Sequence, residues 1–439
     1  MKNRLLLLIT TIISGVVLVA CSAGSNSSNY TVGGTISGFT SGSLVLKNNG
    51  GETLTISANS STFTFSTALA SGTSYAVTIG TQPIGLSCSI SNGSGMVASA
   101  NVTNIIVVCR TQIAYVANIG NNTISMYAIS PTTGMLAPLS TPTVPAGNGP
   151  QYIAINSAGT YAYALNVGDN TISMYAISPT TGMLAPLSVA TVATGNSPSS
   201  IAINSAGTYA YVSNDGDGTV GVYAINASTG NLTQKATIVL GVGQMNIALN
   251  ATGTLAYVAN DNYISIISLA TNTVVTTVAA SAGNAPHTIK INPAGTFAYV
   301  SNGGSGSIAM YAINTNTGGL TLLSPATVAA GAYPTSVGIN PAGTFAYVAN
   351  DGDNTISMYG INSSTGVLTP LSTPTVATGS APQYTTINSS GTAVYVANFS
   401  DNTISMYGIN LSTGVLTPLS TPTVTSGGLP VYIAVTPQN

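Results

Sequence analysis

The 439-residue sequence has almost no charge, no tryptophan and a single histidine. It contains only six Lys or Arg and eight Asp or Glu residues, for a formal net charge of −2. So few cations exclude a nucleic-acid-binding protein, because neutralising phosphates requires clustered Lys and Arg. Charge-driven disorder is excluded as well, since 44% of the residues are hydrophobic. Stretches rich in Leu, or in Glu and Lys, are scarce, which argues against a helical bundle.

What the sequence does contain is abundant glycine, 48 residues, and many short runs that alternate polar and apolar side chains. Alternation with a period of two, bounded by Gly, Asn and Ser turns, is typical of β-strands. The length allows two or three domains with buried cores. The sequence therefore predicts an all-β protein.

The first 20 residues are basic and then apolar, which is typical of a secretory signal. Lys2 and Arg4 precede an uncharged apolar run over residues 5–20, and this run is short for a transmembrane helix. The segment is therefore predicted to direct export and to be removed.

The signal ends in Leu-Val-Ala-Cys at residues 18–21, which resembles the lipobox of bacterial lipoproteins. The resemblance implies that Cys21 becomes the first mature residue, that its thiol is acylated and that the lipid bilayer is a partner. Ser22, in place of the Asp that retains lipoproteins in the inner membrane, implies an outer-membrane address by the same resemblance. Residues 21–29 then form a polar tether. An ordinary signal peptide with an unrelated cysteine is the alternative.

Residues 30–110 differ in pattern from the rest of the chain and predict a small β-sandwich. Cys88 and Cys109 lie in this region and are the only cysteines besides Cys21. Export would place them in an oxidising compartment, so we expect one disulfide bond between them. A zinc site is the weaker alternative, because two thiols without a nearby histidine form an incomplete ligand set.

Residues 111–439 consist of a repeated unit, which decides the fold. The motif Tyr-Val-Ala-Asn, or a close variant, begins at Tyr115, Tyr163, Tyr211, Tyr257, Tyr299, Tyr347 and Tyr395. Each unit holds four strand-like runs, which is the pattern of a β-propeller blade. The first unit lacks its leading strand, and the run at residues 431–435 supplies it. The sequence therefore predicts a seven-bladed β-propeller closed by the C-terminal strand.

Three kinds of stretch in these repeats carry a resemblance to known families. They are Tyr-Val-Ala-Asn-Asp-Gly-Asp-Asn-Thr-Ile-Ser at 347–357, Ile-Asn-Pro-Ala-Gly-Thr-Phe-Ala-Tyr at 291–299 and 339–347, and Ser-Thr-Gly-Val-Leu at 364–368. The region from residue 111 resembles the YVTN β-propellers of surface-layer and secreted proteins. It is also similar to the bacterial lactonase family, whose best-known activity is that of 6-phosphogluconolactonase. The resemblance implies the fold more strongly than the activity, because propellers host many functions.

Lactone hydrolysis requires a general base and positive charge for the developing oxyanion. His287 is the candidate base, in a Pro-His sequence that lactonase-type repeats carry where an inner strand begins. Lys290 follows three residues later, so a strand would direct the two side chains to opposite faces. Related repeats carry Arg where this chain has Gly303, and a phosphorylated sugar acid would find few cations. The alternative is that His287 is a polar rim residue without a catalytic role.

Seven of the eight carboxylates follow the Tyr-Val-Ala-Asn strands, on the ring face predicted to hold His287. Asp-Gly and Asp-Asn suit tight hairpins, because Asp and Asn adopt left-handed conformations and bond to their own backbone. Weak calcium binding is the alternative, and it is the only cofactor that the sequence suggests. The residues concerned are Asp215, Asp217, Asp261, Asp351 and Asp353, although no bidentate Glu completes a calcium loop.

Near-identical blades favour a binding or scaffolding protein over an enzyme. Residues 354–376 and 402–424 differ only at Ser363 and Leu411. An active site needs particular residues from particular blades, whereas a display surface tolerates repetition. We therefore expect a lipoprotein whose propeller binds an unidentified protein or glycan at the cell envelope. A lactonase-like hydrolase with its site around His287 and a structural surface-coat protein are the alternatives.

Overall fold

The computed structural model describes residues 28–40, 42–83, 86–130, 132–241, 243, 246–260, 263–279 and 285–437. Regular structure in these ranges is β-strand throughout, apart from one turn of 3-10 helix at Gly303–Ser305. No helix in the described part of the chain is long and apolar enough to cross a membrane. Cys21 and Asp261, both predicted as site residues, lie outside the described residues. The all-β prediction is confirmed.

Ten strands precede the repeats and form two four-stranded sheets and one two-stranded pair. They are Asn29–Tyr30, Val32–Ser37, Leu44–Asn48, Glu52–Ile56, Thr62–Thr64, Leu69–Ala70, Ser74–Thr81, Leu86–Ser91, Ser94–Met96 and Val102–Thr111. All pairs are antiparallel except Val32–Ser37 with Val102–Thr111, which is parallel. Side chains from both larger sheets, including Val32, Leu46 and Val107, bury one apolar cluster between them. The last of these strands ends one residue beyond the expected boundary at residue 110.

A disulfide bond joins Cys88 and Cys109. The two cysteines lie directly opposite each other on the neighbouring antiparallel strands Leu86–Ser91 and Val102–Thr111. Both side chains are buried in the apolar cluster of this region. A bond that closes a loop of this length restricts the unfolded chain and stabilises the fold by about 3 kcal/mol.

Seven four-stranded antiparallel sheets follow, one for each repeat, and we call them blades 1 to 7. Strands are named from the ring axis outwards as innermost, second, third and outermost. The innermost strands of blades 1 to 7 are Pro430–Val435, Pro150–Ile155, Pro198–Ile203, Asn246–Leu249, Pro286–Ile291, Pro334–Ile339 and Pro382–Ile387. The second strands are Ile113–Asn118, Tyr161–Asn166, Tyr209–Asn214, Leu255–Ala259, Phe297–Asn302, Phe345–Asn350 and Ala393–Asn398.

The two outer strands of each blade follow in the same order. The third strands are Thr123–Ile129, Thr171–Ile177, Thr219–Ile225, Tyr263–Ser268, Ser307–Ile313, Thr355–Ile361 and Thr403–Ile409. The outermost strands are Leu136–Pro145, Leu184–Ala193, Leu232–Val239, Thr273–Ala279, Leu320–Ala329, Leu368–Ala377 and Leu416–Thr425. In blades 2 to 7 pairing proceeds from each strand to the next along the chain, so each of these blades is a four-stranded meander.

The innermost strands pack side by side around a central channel, and each contacts the innermost strand of the next blade around the whole ring. Blade 1 takes its innermost strand from the C-terminal end of the described chain, where Pro430–Val435 pairs antiparallel with Ile113–Asn118. The first and last repeats thereby share one sheet. This pairing removes an open strand edge, which would otherwise invite aggregation.

Each interface between neighbouring blades holds one buried apolar cluster. The tyrosine of the Tyr-Val-Ala-Asn motif is buried there, and Tyr115 donates its hydroxyl hydrogen to the Gly182 carbonyl of blade 2 at 2.6 Å. Gly182 has a φ of +70°, and a Cβ at this position would overlap Ile113. Tyr395 of blade 7 reaches Gly134 of blade 1 in the same way. Among the described residues, this Tyr-to-Gly bond joins the blades at six of the seven interfaces, including the last with the first, and the interface of blades 3 and 4 is the exception.

Candidate functional site

One face of the ring carries the turns between the second and third strands, and we call it the turn face. The loops that lead into the innermost strands lie on the same face, because innermost and second strands pair antiparallel. In four blades an aspartate of the turn accepts a backbone N–H of the loop at 2.6–2.7 Å. The pairs are Asp169 with Asn148, Asp217 with Asn196, Asp353 with Ala332 and Asp401 with Ser380.

These bonds give the aspartates a structural role. Asn170, next to Asp169, has a φ of 53°, the left-handed conformation expected for an Asp-Asn turn. Asp217 also accepts a side-chain amide of the same loop at 2.7 Å. Asp215 and Asp351 lie in blades 3 and 6 and donate their own backbone N–H groups to these loops. Among the residues that the structure describes, no group of three or more acidic, His or Cys side chains is placed to hold a metal ion.

His287 lies on the turn face, at the start of the innermost strand of blade 5. Its imidazole is half-buried and contacts the ring of Tyr333 edge-on, with 4.9 Å between the ring centroids. Gly303 lies directly beside the imidazole, because a Cβ at this position would come within 2.8 Å of the His287 Cδ2 atom. The position at which the resemblance implies arginine is thus adjacent to the histidine. Glycine at this position lets the His287 imidazole and the Tyr333 ring pack directly against the backbone.

Blade 5 departs from the repeat around His287. In blades 1, 2, 6 and 7 the last Asn of the second strand donates to a Ser hydroxyl of the third strand, as Asn166 does to Ser173 at 2.8 Å. The equivalent residues in blade 5 are Asn302 and Ala309, which cannot form this bond. The buried Asn302 amide nitrogen has no hydrogen-bond partner among the described residues. The 3-10 turn Gly303–Ser305 also stands where blades 2, 3, 6 and 7 have their aspartate turn.

Lys290 does not join His287, in agreement with the three-residue spacing on one strand. Its side chain lies in the central channel, where it lines two adjoining cavities of about 290 and 280 Å³. The Lys290 side chain is exposed to the water of the channel, and the surrounding channel wall partly desolvates its ammonium group. This desolvation lowers the pKa of Lys290, because the charged form loses hydration.

Three tyrosines that line the channel were not predicted as site residues from the sequence. Tyr152, Tyr384 and Tyr432 occupy the same position of the innermost strand in blades 2, 7 and 1. The Tyr432 ring lies between the other two, with centroid distances of 3.7 Å to Tyr152 and 3.9 Å to Tyr384. A Pro-x-Tyr sequence at the start of three inner strands was the available signal. Tyrosines also fill the blade interfaces of this chain. The sequence pattern alone therefore could not show whether a tyrosine lines the channel or packs between blades.

A family model described as a lactonase with a seven-bladed β-propeller matches residues 105–274, 241–381 and 324–435. The chain belongs to this lactonase propeller family. The match begins at the last strand of the N-terminal sheets and continues through all seven repeats, and it confirms the resemblance seen in the repeats. No curated protein sequence matches the chain.

Solved structures of similar fold have low sequence identity to this family member. A candidate 6-phosphogluconolactonase from Bacteroides uniformis is 20% identical with a TM-score of 0.64, over 74% of this chain and 99% of that one. A periplasmic gluconolactonase from Pseudomonas aeruginosa is 17% identical with a TM-score of 0.63, over 75% and 99%. A protein from Lactobacillus plantarum is 22% identical with a TM-score of 0.62, over 74% and 98%. At these identities the structures show the shared propeller fold.

Family membership supports the lactonase-like alternative better than the non-enzymatic role favoured by the repeated blades. The nearly identical blades had favoured the non-enzymatic role. In blade 5 the departures from the repeat at His287, Asn302 and Gly303 lie side by side. Blade 3 also lacks the repeated serine, at Gly221, but it keeps the aspartate turn.

Proposed function

We propose that the protein is a lactone hydrolase whose site lies on the turn face at blade 5, around His287. The observation that carries this proposal is the grouping of His287, Asn302 and Gly303 at this one edge. Blade 5 combines the only imidazole of the chain, a Gly303 against which this imidazole packs and an Asn302 without the hydrogen bond of the repeat. Membership of the lactonase propeller family supports the same chemistry.

His287 acts in this proposal as the general base. It takes a proton from a water molecule, whose oxygen attacks the lactone carbonyl carbon. The acyl carbon–oxygen bond of the ring then breaks, and the proton passes to the departing ring oxygen. The product is an open-chain hydroxy acid, with no change of oxidation state. The lactone would approach the half-buried imidazole from the solvent side of the turn face.

The substrate that fits best is a small lactone without a phosphate group. The cations of the described propeller besides His287 are Lys235 and Lys290. Lys235 is exposed on the outermost strand of blade 3, and Lys290 lies inside the channel. Neither lies on the turn face beside His287, so a phosphate would find no fixed positive charge there. Gluconolactone is therefore expected to be hydrolysed in preference to 6-phosphogluconolactone.

Replacing His287 by glutamine is expected to lower kcat/KM for gluconolactone by about 100-fold or more, the usual range for loss of a general base. The substitution keeps a polar side chain of similar size at the rim, so the fold should persist. Gln151→Ala is the matched control, because Gln151 occupies the same strand position in blade 2. Equal turnover by His287→Gln and the parent protein, at unchanged melting temperature, would remove His287 from the reaction.

A non-enzymatic binding role is the second candidate, and the near-identity of residues 354–376 and 402–424 favours it. Repeated blades present the same side chains several times around the ring, which suits a protein or glycan partner with a repeated surface. Absence of turnover on every lactone tested, together with retention of a glycan or protein by the immobilised propeller, would select this role.

The chain is further proposed to be exported and anchored to the bilayer through acylated Cys21. The signal-like residues 1–20, the lipobox-like sequence at 18–21 and the Cys88–Cys109 disulfide support this address. The Pseudomonas neighbour is named as a periplasmic protein. Metabolic labelling with a fatty acid tests the anchor: the label should appear on the parent protein and be absent from Cys21→Ser.

A further inference from the structure

The central channel has two unlike walls. The third residue of the innermost strand is tyrosine in blades 7, 1 and 2, and these rings stack with centroids 3.7–3.9 Å apart. The hydroxyl of Tyr384 donates to that of Tyr432 at 3.0 Å, which fixes the rings relative to each other. The same strand position in blades 3 to 6 carries small polar residues. These are Ser200, Asn246, Thr288 and Ser336.

The polar wall is fixed by bonds between neighbouring blades. Asn246 accepts the Ile289 backbone N–H at 3.2 Å, and Ser336 accepts the Thr385 backbone N–H at 2.8 Å. Thr288 donates to the Thr335 carbonyl at 2.8 Å. These residues therefore serve the ring itself. The groups left to meet a ligand are the aromatic rings and the one charged side chain in the channel.

That charged side chain is Lys290, on the blade 5 strand. The equivalent residues of the other blades are uncharged: Ala434, Ala154, Ala202, Ala248, Gly338 and Thr386. Among the described residues, no carboxylate lines either of the two cavities that Lys290 shares with Tyr152 and Tyr384. The Lys290 ammonium group therefore faces the channel without a counter-charge, and an anionic ligand could form a charge-assisted hydrogen bond with it.

We propose that the central channel is a binding site for a small aromatic carboxylate, whose carboxylate pairs with Lys290 and whose ring stacks on the tyrosine wall. The cavities of about 290 and 280 Å³ match a compact molecule rather than a polymer. Tyrosine faces favour a flat apolar ring, and a charge-assisted hydrogen bond to the ammonium orients its carboxylate. The site is independent of the proposed hydrolysis, because His287 does not line either cavity.

The site also predicts a pH dependence for binding. Desolvation lowers the pKa of Lys290 below its ordinary 10.5, so the ammonium form is lost earlier than for an exposed lysine as the pH rises. The titratable side chains that share the cavities are Tyr152, Tyr384 and Tyr432. Burial raises the pKa of Tyr384 and Tyr432 well above the ordinary value, so these two remain neutral over that interval. Affinity should therefore fall as the pH rises through the lowered pKa of Lys290.

Isothermal titration of the purified protein with benzoate tests the proposal, with benzamide, acetate and inorganic phosphate as comparison ligands. Benzoate should bind more tightly than the other three, because only benzoate has both the ring and the carboxylate. Lys290→Met should weaken benzoate binding about tenfold or more, the effect of losing one charge-assisted bond. Tyr152→Leu should weaken it as well. Lys235→Met and Tyr209→Leu are the matched controls, because both parent side chains are exposed on the propeller surface.

The melting temperature gives a second measurement on the Lys290→Met variant. Because Lys290 is exposed to the water of the channel, Lys290→Met should leave the melting temperature close to that of the parent. Benzoate should raise the melting temperature of the parent and of Lys235→Met but not of Lys290→Met. The proposal would be overturned if benzoate failed to bind, if benzamide or phosphate bound as tightly, or if Lys290→Met bound benzoate like the parent.

Discussion

Replacing Ile433 by alanine is expected to destabilise the propeller by about 2–5 kcal/mol, as much as replacing Ile153. Both isoleucines occupy the fourth position of an innermost strand, in blades 1 and 2, and each is 1% exposed. Ile153 belongs to a strand in mid-chain, whereas Ile433 belongs to the C-terminal strand that completes blade 1. The equal cost follows because truncation leaves the same cavity between packed blades at either site.

Urea unfolding followed by circular dichroism measures both costs, with Leu411→Ala as the control. Leu411 is 63% exposed on the ring surface, so its truncation should leave the unfolding midpoint almost unchanged. The comparison of Ile433 with Ile153 reports directly on whether the last strand is part of the closed ring. If Ile433→Ala unfolded at the same urea concentration as Leu411→Ala, the C-terminal strand would not be contributing to the fold.

Raising the pH above 10 is expected to unfold the propeller before its blade tyrosines ionise. Burial raises the pKa of Tyr175, Tyr223 and Tyr257 from 10.0 to about 12. The pKa values of Tyr115 and Tyr395 are also raised by burial. The native state therefore keeps protons that the unfolded chain releases, and stability falls as the pH rises from 10 towards 12. Each pKa unit corresponds to about 1.4 kcal/mol for one tyrosine, and the contributions of many tyrosines act together.

Tyrosinate absorbance and circular dichroism, recorded on the same sample, test this expectation. The absorbance rise should coincide with loss of the β signal, because the buried hydroxyls become free to ionise only on unfolding. Between pH 7 and 9 the tyrosines should leave the unfolding midpoint unchanged, since native and unfolded chains are then equally protonated. Smooth titration of all tyrosines near pH 10 with an intact β signal would contradict the burial on which the prediction depends.

The fold was largely predictable from the sequence, because each repeat contains the same pattern of four strands and turns. Tyr115 and its equivalents mark one interface strand in every blade, and the missing strand of the first repeat identified residues 431–435 as its partner. The disulfide partners could be named because Cys88 and Cys109 are the only cysteines left after Cys21.

The candidate site was harder to predict, for two physical reasons. The aspartates attracted attention as a group, yet residues such as Asp217 and Asp353 bond to backbone N–H groups within their own blades. The informative positions in blade 5 differ from the repeat because a hydrogen-bonding side chain is missing, not because a new one is present. Ala309 replaces a serine and thereby leaves Asn302 without its repeat hydrogen bond, an effect visible only when the two strands are paired.

Binding of a sugar acid at His287 is the most direct consequence of the proposed function. Because the chain has one histidine, its imidazole gives a single set of NMR signals that need no assignment by mutation. These signals should shift and saturate as gluconate, the open-chain product of gluconolactone, is added. The shift should persist in Lys290→Met, which separates the turn face from the channel. If gluconolactone were turned over while the imidazole signals stayed unchanged, or if neither turnover nor a shift were observed, the site around His287 would be contradicted.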